Sequence, residues 1–404
     1  MPFRGDLMKD SALYFDYAAT TPVDERVIKV MVECLGMSGN FGNPASSSHV
    51  FGQKARLAVE QARQQVASLV NADAAQIIWT SGATESSNLA IKGVAQERAK
   101  RLASGIGRVT GHIITSQIEH KATLDTVRQL QEEGADVTWL APDADGLISP
   151  DAVSAALRDD TFLVSLMLVN NELGTVNDIA ETGKRVREHG ALLHVDAAQG
   201  AGKLPIDLSQ LAVDLMSFSA HKVYGPKGIG ALYVGPRAQQ RVLAQIHGGG
   251  HECGMRSGTL ATHQIAGMGA AFALAAETLN AEILETTRLT RLLIERLADI
   301  PGLCINGSPT QRIANIVSLT FGHSDLDIKA LGTRLAFSST SACNSAKNAP
   351  SHVLLALGHS PQAAGQTIRL SLGRFTREQD IERAAEAIRD SLAQPAFWAV
   401  AQAR

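Results

Sequence analysis

Aromatic side chains make up only 4% of the 404 residues. So sparse a set argues against a stacking platform for single-stranded nucleic acid. The net charge of -3 gives no general attraction to nucleic acid or to an anionic membrane, so neither is expected as a direct partner. No run of about 18 consecutive apolar residues occurs, which argues against a transmembrane helix. Residues Met1 to Ser11 carry charges of both signs and no apolar stretch of the secretory kind. The four cysteines, Cys34, Cys253, Cys304 and Cys343, are scattered and form no CxxC pair. Neither a zinc site nor a disulfide framework is expected, and the metal-ligand set is read as none. This usage suits a reducing, cytoplasmic compartment. No internal repeat is visible.

What remains is a chain that is 45% hydrophobic and long enough to bury a sizeable core. Its length fits two or three domains, or one large and one small. Apolar runs at 77–80, 112–115, 137–140, 162–169, 192–195, 215–218 and 229–234 read as strands. Helical patterns at 85–100, 122–133, 150–158 and 179–189 fall between many of them. This alternation predicts βαβ units and a mainly parallel seven-stranded sheet in an α/β fold. From 259 to 298 the pattern is long, Ala/Leu-rich and helical. A strand at 315–321, a helix at 325–336, a strand at 367–372 and a helix at 377–392 follow. These predict a smaller α+β domain, giving a large domain 17–262 and a small one from 1–16 and 263–404. Residues 338–348 lack periodicity and read as loop.

Ligands of such sheets bind at the carboxyl ends of strands, and four strand ends here carry polar chemistry. Lys222 follows the run Asp214 to Phe218 and precedes a Gly/Pro turn. A lysine there, flanked by Ser219 and His221, suits a Schiff base with an aldehyde cofactor, although a solvated surface lysine gives the same pattern. Ser81-Gly82-Ala83-Thr84-Glu85 follows a strand and opens a helix, which makes a phosphate cradle. Simple capping by Ser81 or Thr84, with a nearby Glu, is the alternative. Asp196 ends the strand 192–195, where its carboxylate suits a pyridinium nitrogen, with Gln199 in reach of the ring hydroxyl; a helix N-cap is the alternative. His120 suits a ring stacker and proton shuttle, or a structural helix start. Asn171 suits the ring oxygen or a substrate carboxylate, or an ordinary turn. Together the four ends supply what pyridoxal 5'-phosphate needs.

These segments resemble fold-type I pyridoxal-phosphate enzymes of the class-V aminotransferase kind, and more narrowly the housekeeping cysteine desulfurases of iron–sulfur assembly. The resemblance runs from Tyr14-Phe15-Asp16-Tyr17-Ala18-Ala19-Thr20-Thr21-Pro22 to Ile368-Arg369-Leu370-Ser371-Leu372-Gly373-Arg374-Phe375. It takes in Phe41-Gly42-Asn43-Pro44-Ala45-Ser46-Ser47 and Gly248 to Thr259. It implies Lys222 as the cofactor lysine, Ala83 and Thr84 at the phosphate, His120 on the ring, Asp196 at the pyridinium and Gln199 beside it. It further implies Ser219 and His221 at the phosphate, and Thr259 reaching the phosphate of a neighbouring subunit in a homodimer. Cys343, in a small polar loop, falls on the persulfide-carrying cysteine, which would also touch a nascent iron–sulfur cluster transiently. Arg369 falls on the arginine for the substrate carboxylate, with Arg374 its rival nearby. The implied activity is removal of sulfur from L-cysteine to give L-alanine. The implied acceptors are an iron–sulfur scaffold protein, tRNA-thiolation and other thio-cofactor proteins. An aminotransferase or another lyase of this fold is the rival enzyme, and it needs no Cys343. A non-catalytic assembly partner would dispense with Lys222, Asp196 or Cys343. Cys253 stands where relatives often carry arginine.

Overall fold

A computed structural model describes residues 12–102, 109–322, 326–339 and 350–392. The chain divides into two compact units. One comprises Thr20–Asn171 and Thr175–Leu279; the other comprises Glu172–Gly174, the residues before Thr20 and those from Asn280 on.

The first unit is built on seven strands: β1 (Ile77–Thr80), β2 (His112–Ser116), β3 (Asp136–Leu140), β4 (Thr161–Met167), β5 (Leu192–Asp196), β6 (Leu215–Ser219) and β7 (Gly230–Val234). Their spatial order is β1-β7-β6-β5-β4-β2-β3. β7 runs antiparallel to both neighbours and every other pair is parallel. All residues of β4, β5 and β6 are buried. Sheets covered on both faces require such continuous rather than alternating apolar runs. Helices Ala83–Arg101, Lys121–Glu132 and Ile179–His189 connect them, at the places the periodicity predicts. Helices Glu25–Val32 and Val50–Leu69 are additions that the sequence reading did not resolve.

Where β7 begins, it runs against the turn after β1. A Cβ on Gly230 would come within 2.5 Å of the Phe218 carbonyl oxygen and 2.6 Å of Gly82 Cα. No other residue lets these backbones meet. The outer edge of β1 is closed by side chains rather than by a strand. Arg63 Nη1 donates to Ile77 O at 2.7 Å, Trp79 N donates to Glu252 Oε2 at 2.8 Å, and Arg63 and Glu252 pair at 2.8 Å. The buried ion pair thus protects a strand edge from further pairing and ties the loop 248–259 to it.

The second unit carries a four-stranded antiparallel sheet: β8 (Leu303–Asn306), β9 (Ile316–Phe321), β10 (Ser338–Ser339) and β11 (Thr367–Ser371), in the order β10-β11-β9-β8. Leu293, Leu319, Leu370, Ile381 and Ile388 form its core with helix Glu378–Asp390. Leu13–Tyr14 pairs in parallel with Leu335–Ala336, which ends the expected 325–336 helix at Arg334. Ser338 and Ser339, expected as loop, are strand residues opposite Arg369 and Ile368. Two residues show no periodicity, so pairing alone defines that strand. No helix among the described residues is long and apolar enough to cross a membrane.

Candidate active site

Lys222 ends a single 3₁₀ turn, Ala220–Lys222, that follows β6 directly. Two threonines hold this turn. Thr21 donates to His221 O from both N and Oγ1, at 2.8 and 3.0 Å, and accepts from Tyr224 N at 2.8 Å. Thr20 Oγ1 meets His221 Nδ1 at 3.1 Å. Tyr224, at φ +59°, takes the left-handed conformation two residues beyond the lysine. Thr20 and Thr21 lie about half the chain away from Lys222, so nothing in their spacing signals this role. Burial, then the charges of Lys222, Lys227 and Lys203, pushes His221 down to about 4. His221 is therefore neutral at pH 7 amid three lysines, a setting that favours an anion.

Helix Ala83–Arg101 begins at Gly82, whose φ of +156° and ψ of 174° lie in a region nearly exclusive to glycine. No side chain caps this helix, so neither Ser81 nor Thr84 acts as the expected cap. The first-turn N–H groups of a helix attract anions when left uncapped. Ala83 is half-buried and Thr84 exposed there. Glu85 does not compete for the turn: burial works against its ionisation, but Arg256 at 2.9 Å and Ser81 N at 2.7 Å hold it below the usual carboxylate range. The same Arg256 fixes the loop that carries Thr259, which is exposed.

Asp196 ends β5, one strand from β6 and in register with Ser217. It is 7% exposed and accepts from Ala198 N at 2.9 Å. Among the described residues no cationic side chain pairs with it. Burying a carboxylate is costly, and a cation brought in from elsewhere would offset that cost. Gln199 is buried, with Oε1 accepting from Lys203 Nζ at 2.6 Å. Ser219 is buried at the end of β6. Asn171 is half-buried after β4, while its neighbour Asn170 is buried and donates to Ile118 O at 3.0 Å.

His120 is exposed and caps helix Lys121–Glu132, its Nδ1 accepting from Ala122 N at 3.2 Å. That bond shows the structural cap and leaves Nε2 as the ring nitrogen that carries the proton in the neutral form. Glu119, beside it, was overlooked in the sequence. It is fully buried and accepts from Ser116 Oγ at 2.7 Å and Met167 N at 3.1 Å. Burial pushes its carboxyl up to about 8 against those bonds, with Asp196 adding to the rise. At pH 7 Glu119 is mostly neutral.

In the second unit, Arg369 on β11 contacts Asp16 and Ser338. Its rival Arg374 pairs with Glu282 at 2.7 Å, so both arginines carry an acidic partner. Cys343 lies outside the described residues. Cys253 is exposed at φ +55°, and no metal-holding cluster occurs among the described residues.

The buried histidines give this unit a defined pH response. His194, bridging Ser165 and Ser217 hydroxyls at 2.8 Å each, is pushed down to about 3 by burial. A histidine depressed in the folded state binds its proton only on unfolding, so stability is lost as pH falls below about 6.5. Between pH 7.5 and 5 each such histidine should cost about 2 kcal/mol. Urea unfolding of His194→Gln at the two pH values should therefore show a smaller acid loss than the parent by that amount. An equal loss in both proteins would contradict it.

An uncapped helix start, a lysine on a pinned turn and a buried carboxylate lacking a cation are complementary to phosphate, aldehyde and ring nitrogen. The residues present fit pyridoxal 5'-phosphate. The class-V aminotransferase family matches residues 13–384. The cysteine desulfurase IscS of Azotobacter vinelandii is 57% identical over 93% of this chain and 91% of its own. The cysteine desulfurase IscS of Pseudomonas aeruginosa matches at the same identity and coverage. Among solved structures, a NifS-like protein superposes with a TM-score of 0.84 at 34% identity, over 94% of this chain and 99% of that one. SspA in complex with cysteine gives a TM-score of 0.78 at 39% identity, over 90% and 100%. The chain belongs to the class-V aminotransferase family, within which it is a pyridoxal-phosphate-dependent cysteine desulfurase.

Proposed function

We propose that the enzyme transfers the sulfur of L-cysteine to Cys343 as a persulfide and releases L-alanine. The carrying observation is Asp196, a buried carboxylate with no side-chain cation, one strand from the pinned Lys222 turn. Bound pyridoxal phosphate supplies an aldehyde that captures an amine and a cationic ring that draws electrons from Cα. Lys222 would hold the aldehyde through its amine and, when free, would take and return the α-proton of the substrate. Asp196 keeps the ring nitrogen protonated, and Gln199 bonds the ring hydroxyl. Ala83, Thr84, Ser219 and His221 hold the phosphate, Asn171 the ring oxygen or substrate carboxylate, and Arg369 the α-carboxylate. His120 would lie against the ring and exchange the thiol proton through Nε2. Cys343 thiolate forms the S–S bond as the substrate C–S bond breaks; the released pair returns to carbon, where a proton completes the alanine methyl group.

In this reading residues 17–262 serve the cofactor, and 1–16 with 263–404 serve the substrate and Cys343. A homodimer, with Thr259 of one protomer toward the phosphate of the other, is supported by exposed apolar side chains Val32, Leu35 and Met37, which a second copy would cover. The persulfide would pass to an iron–sulfur scaffold protein, to tRNA-thiolation proteins and to other acceptors in the cytoplasm.

The test is the intact mass after L-cysteine, with alanine quantified in the same tube. One added sulfur per chain, mapped to Cys343 and removed by a thiol reductant, is expected alongside alanine. Cys343→Ala should lack the adduct, and full sulfur transfer by that variant would refute the role of Cys343.

A further inference from the structure

Arg369 is held by a closed triangle of hydrogen bonds. Its Nη2 donates to Asp16 Oδ1 at 2.8 Å and to Ser338 Oγ at 2.6 Å, and Ser338 Oγ donates to the same Asp16 oxygen at 2.8 Å. The geometry is built by the fold. Ser338 stands directly opposite Arg369 across the β10–β11 pairing, and Asp16 is bridged to Ser371, two residues along β11. The arginine and aspartate side chains retain only 10% and 20% of their exposure.

A guanidinium presents two edges for bidentate capture of a carboxylate, Nε with Nη2 and Nη1 with Nη2. Each edge uses one Nη2 hydrogen. Nη2 has two hydrogens, and the triangle engages both. A substrate carboxylate therefore gains a bidentate grip only by exchange. Ser338 is neutral and its hydroxyl can turn; Asp16 carries the same charge and the same group as the newcomer. Two carboxylates crowded on one guanidinium repel, so the exchange falls on Asp16.

We propose that Asp16 is an internal stand-in for the α-carboxylate of the substrate: it occupies Arg369 in the substrate-free enzyme and is displaced on binding. This rests on the reading of Arg369 as the carboxylate anchor. It makes Asp16 a specificity-determining residue. An amine without a carboxylate leaves the Asp16–Arg369 pair intact, while an amino acid must overcome it, so Asp16 sets how strongly the site favours amino acids over simple amines.

The test uses holoenzyme and two probes that carry no thiol to transfer, L-alanine and ethylamine, which differ by the carboxylate. Their dissociation constants are read from the absorbance of the bound cofactor. Asp16→Asn keeps the shape and removes the competing charge, so L-alanine should bind about fivefold more tightly, the worth of one modest ion pair, while ethylamine is unchanged. Ser338→Ala frees one Nη2 hydrogen and loosens Asp16, and should shift L-alanine the same way by a smaller factor; it serves alone if Asp16→Asn does not fold. Unchanged or weaker L-alanine binding in a folded Asp16→Asn would overturn the proposal and leave Asp16 a mere support. Arg369→Gln separates the two ideas. If it retains the parent's preference for L-alanine over ethylamine, Arg369 is not the anchor, and the underlying reading fails first.

Discussion

Replacing Lys222 with alanine should lower turnover of L-cysteine by about 10⁴-fold or more, the scale of losing a covalent nucleophile and a general base together. One nitrogen performs both tasks, so no neighbour compensates: His221 is neutral and spent on Thr20, and Lys203 is bonded to Gln199. The protein itself should survive the change. The turn is fixed through the backbone of His221 and the side chain of Thr21, and Lys222 is only half-buried. Thermal unfolding of apoprotein should then match the parent closely, and added methylamine should restore a fraction of proton abstraction by replacing the missing amine. Alanine production within about tenfold of the parent would refute Lys222 as the base, because a merely structural lysine costs no more than that.

The strands of the large sheet were legible because most are written as short, largely apolar runs, and in β4 and β6 every residue is buried. Lys222, Asp196 and His120 were legible because each ends or follows one of them. What pins them was not. Thr21 and Tyr224 meet only through the fold, and Glu252 substitutes for a strand at the edge of β1 through pairing with Arg63. Periodicity records which face a residue presents, whereas these contacts depend on tertiary approach. β10 escaped for the related reason that two serines carry no pattern, yet one of them holds Arg369. Glu119 escaped because charged residues are read as exposed; only burial at the end of β2, with Ser116 and Met167 N as donors, shows it as a neutral acid.

That neutral acid bears on the second large effect. Asp196→Ala should lower turnover by about 10³-fold, or about 4 kcal/mol in the barrier, because the ring nitrogen loses the carboxylate that keeps it protonated. Asp196→Asn is the sharper variant, since it preserves volume and the bond to Ala198 N through its amide oxygen while removing charge. It should fall nearly as far as alanine if charge is the cause, and remain near the parent if Asp196 only positions the ring. Glu119 reports on the same charge independently of activity. Its carboxyl is pushed up by burial and, after its two hydrogen bonds, by Asp196, so removing that charge should lower its ionisation point. In the parent, a raised acid stabilises the native state less as pH climbs from about 4.5 toward 8, because the native form holds a proton the unfolded form has released. The slope of stability over that window should be shallower in Asp196→Asn. An unaltered slope would mean that the two carboxyl groups do not interact, and that Asp196 acts on the ring without reference to the acid buried beside it.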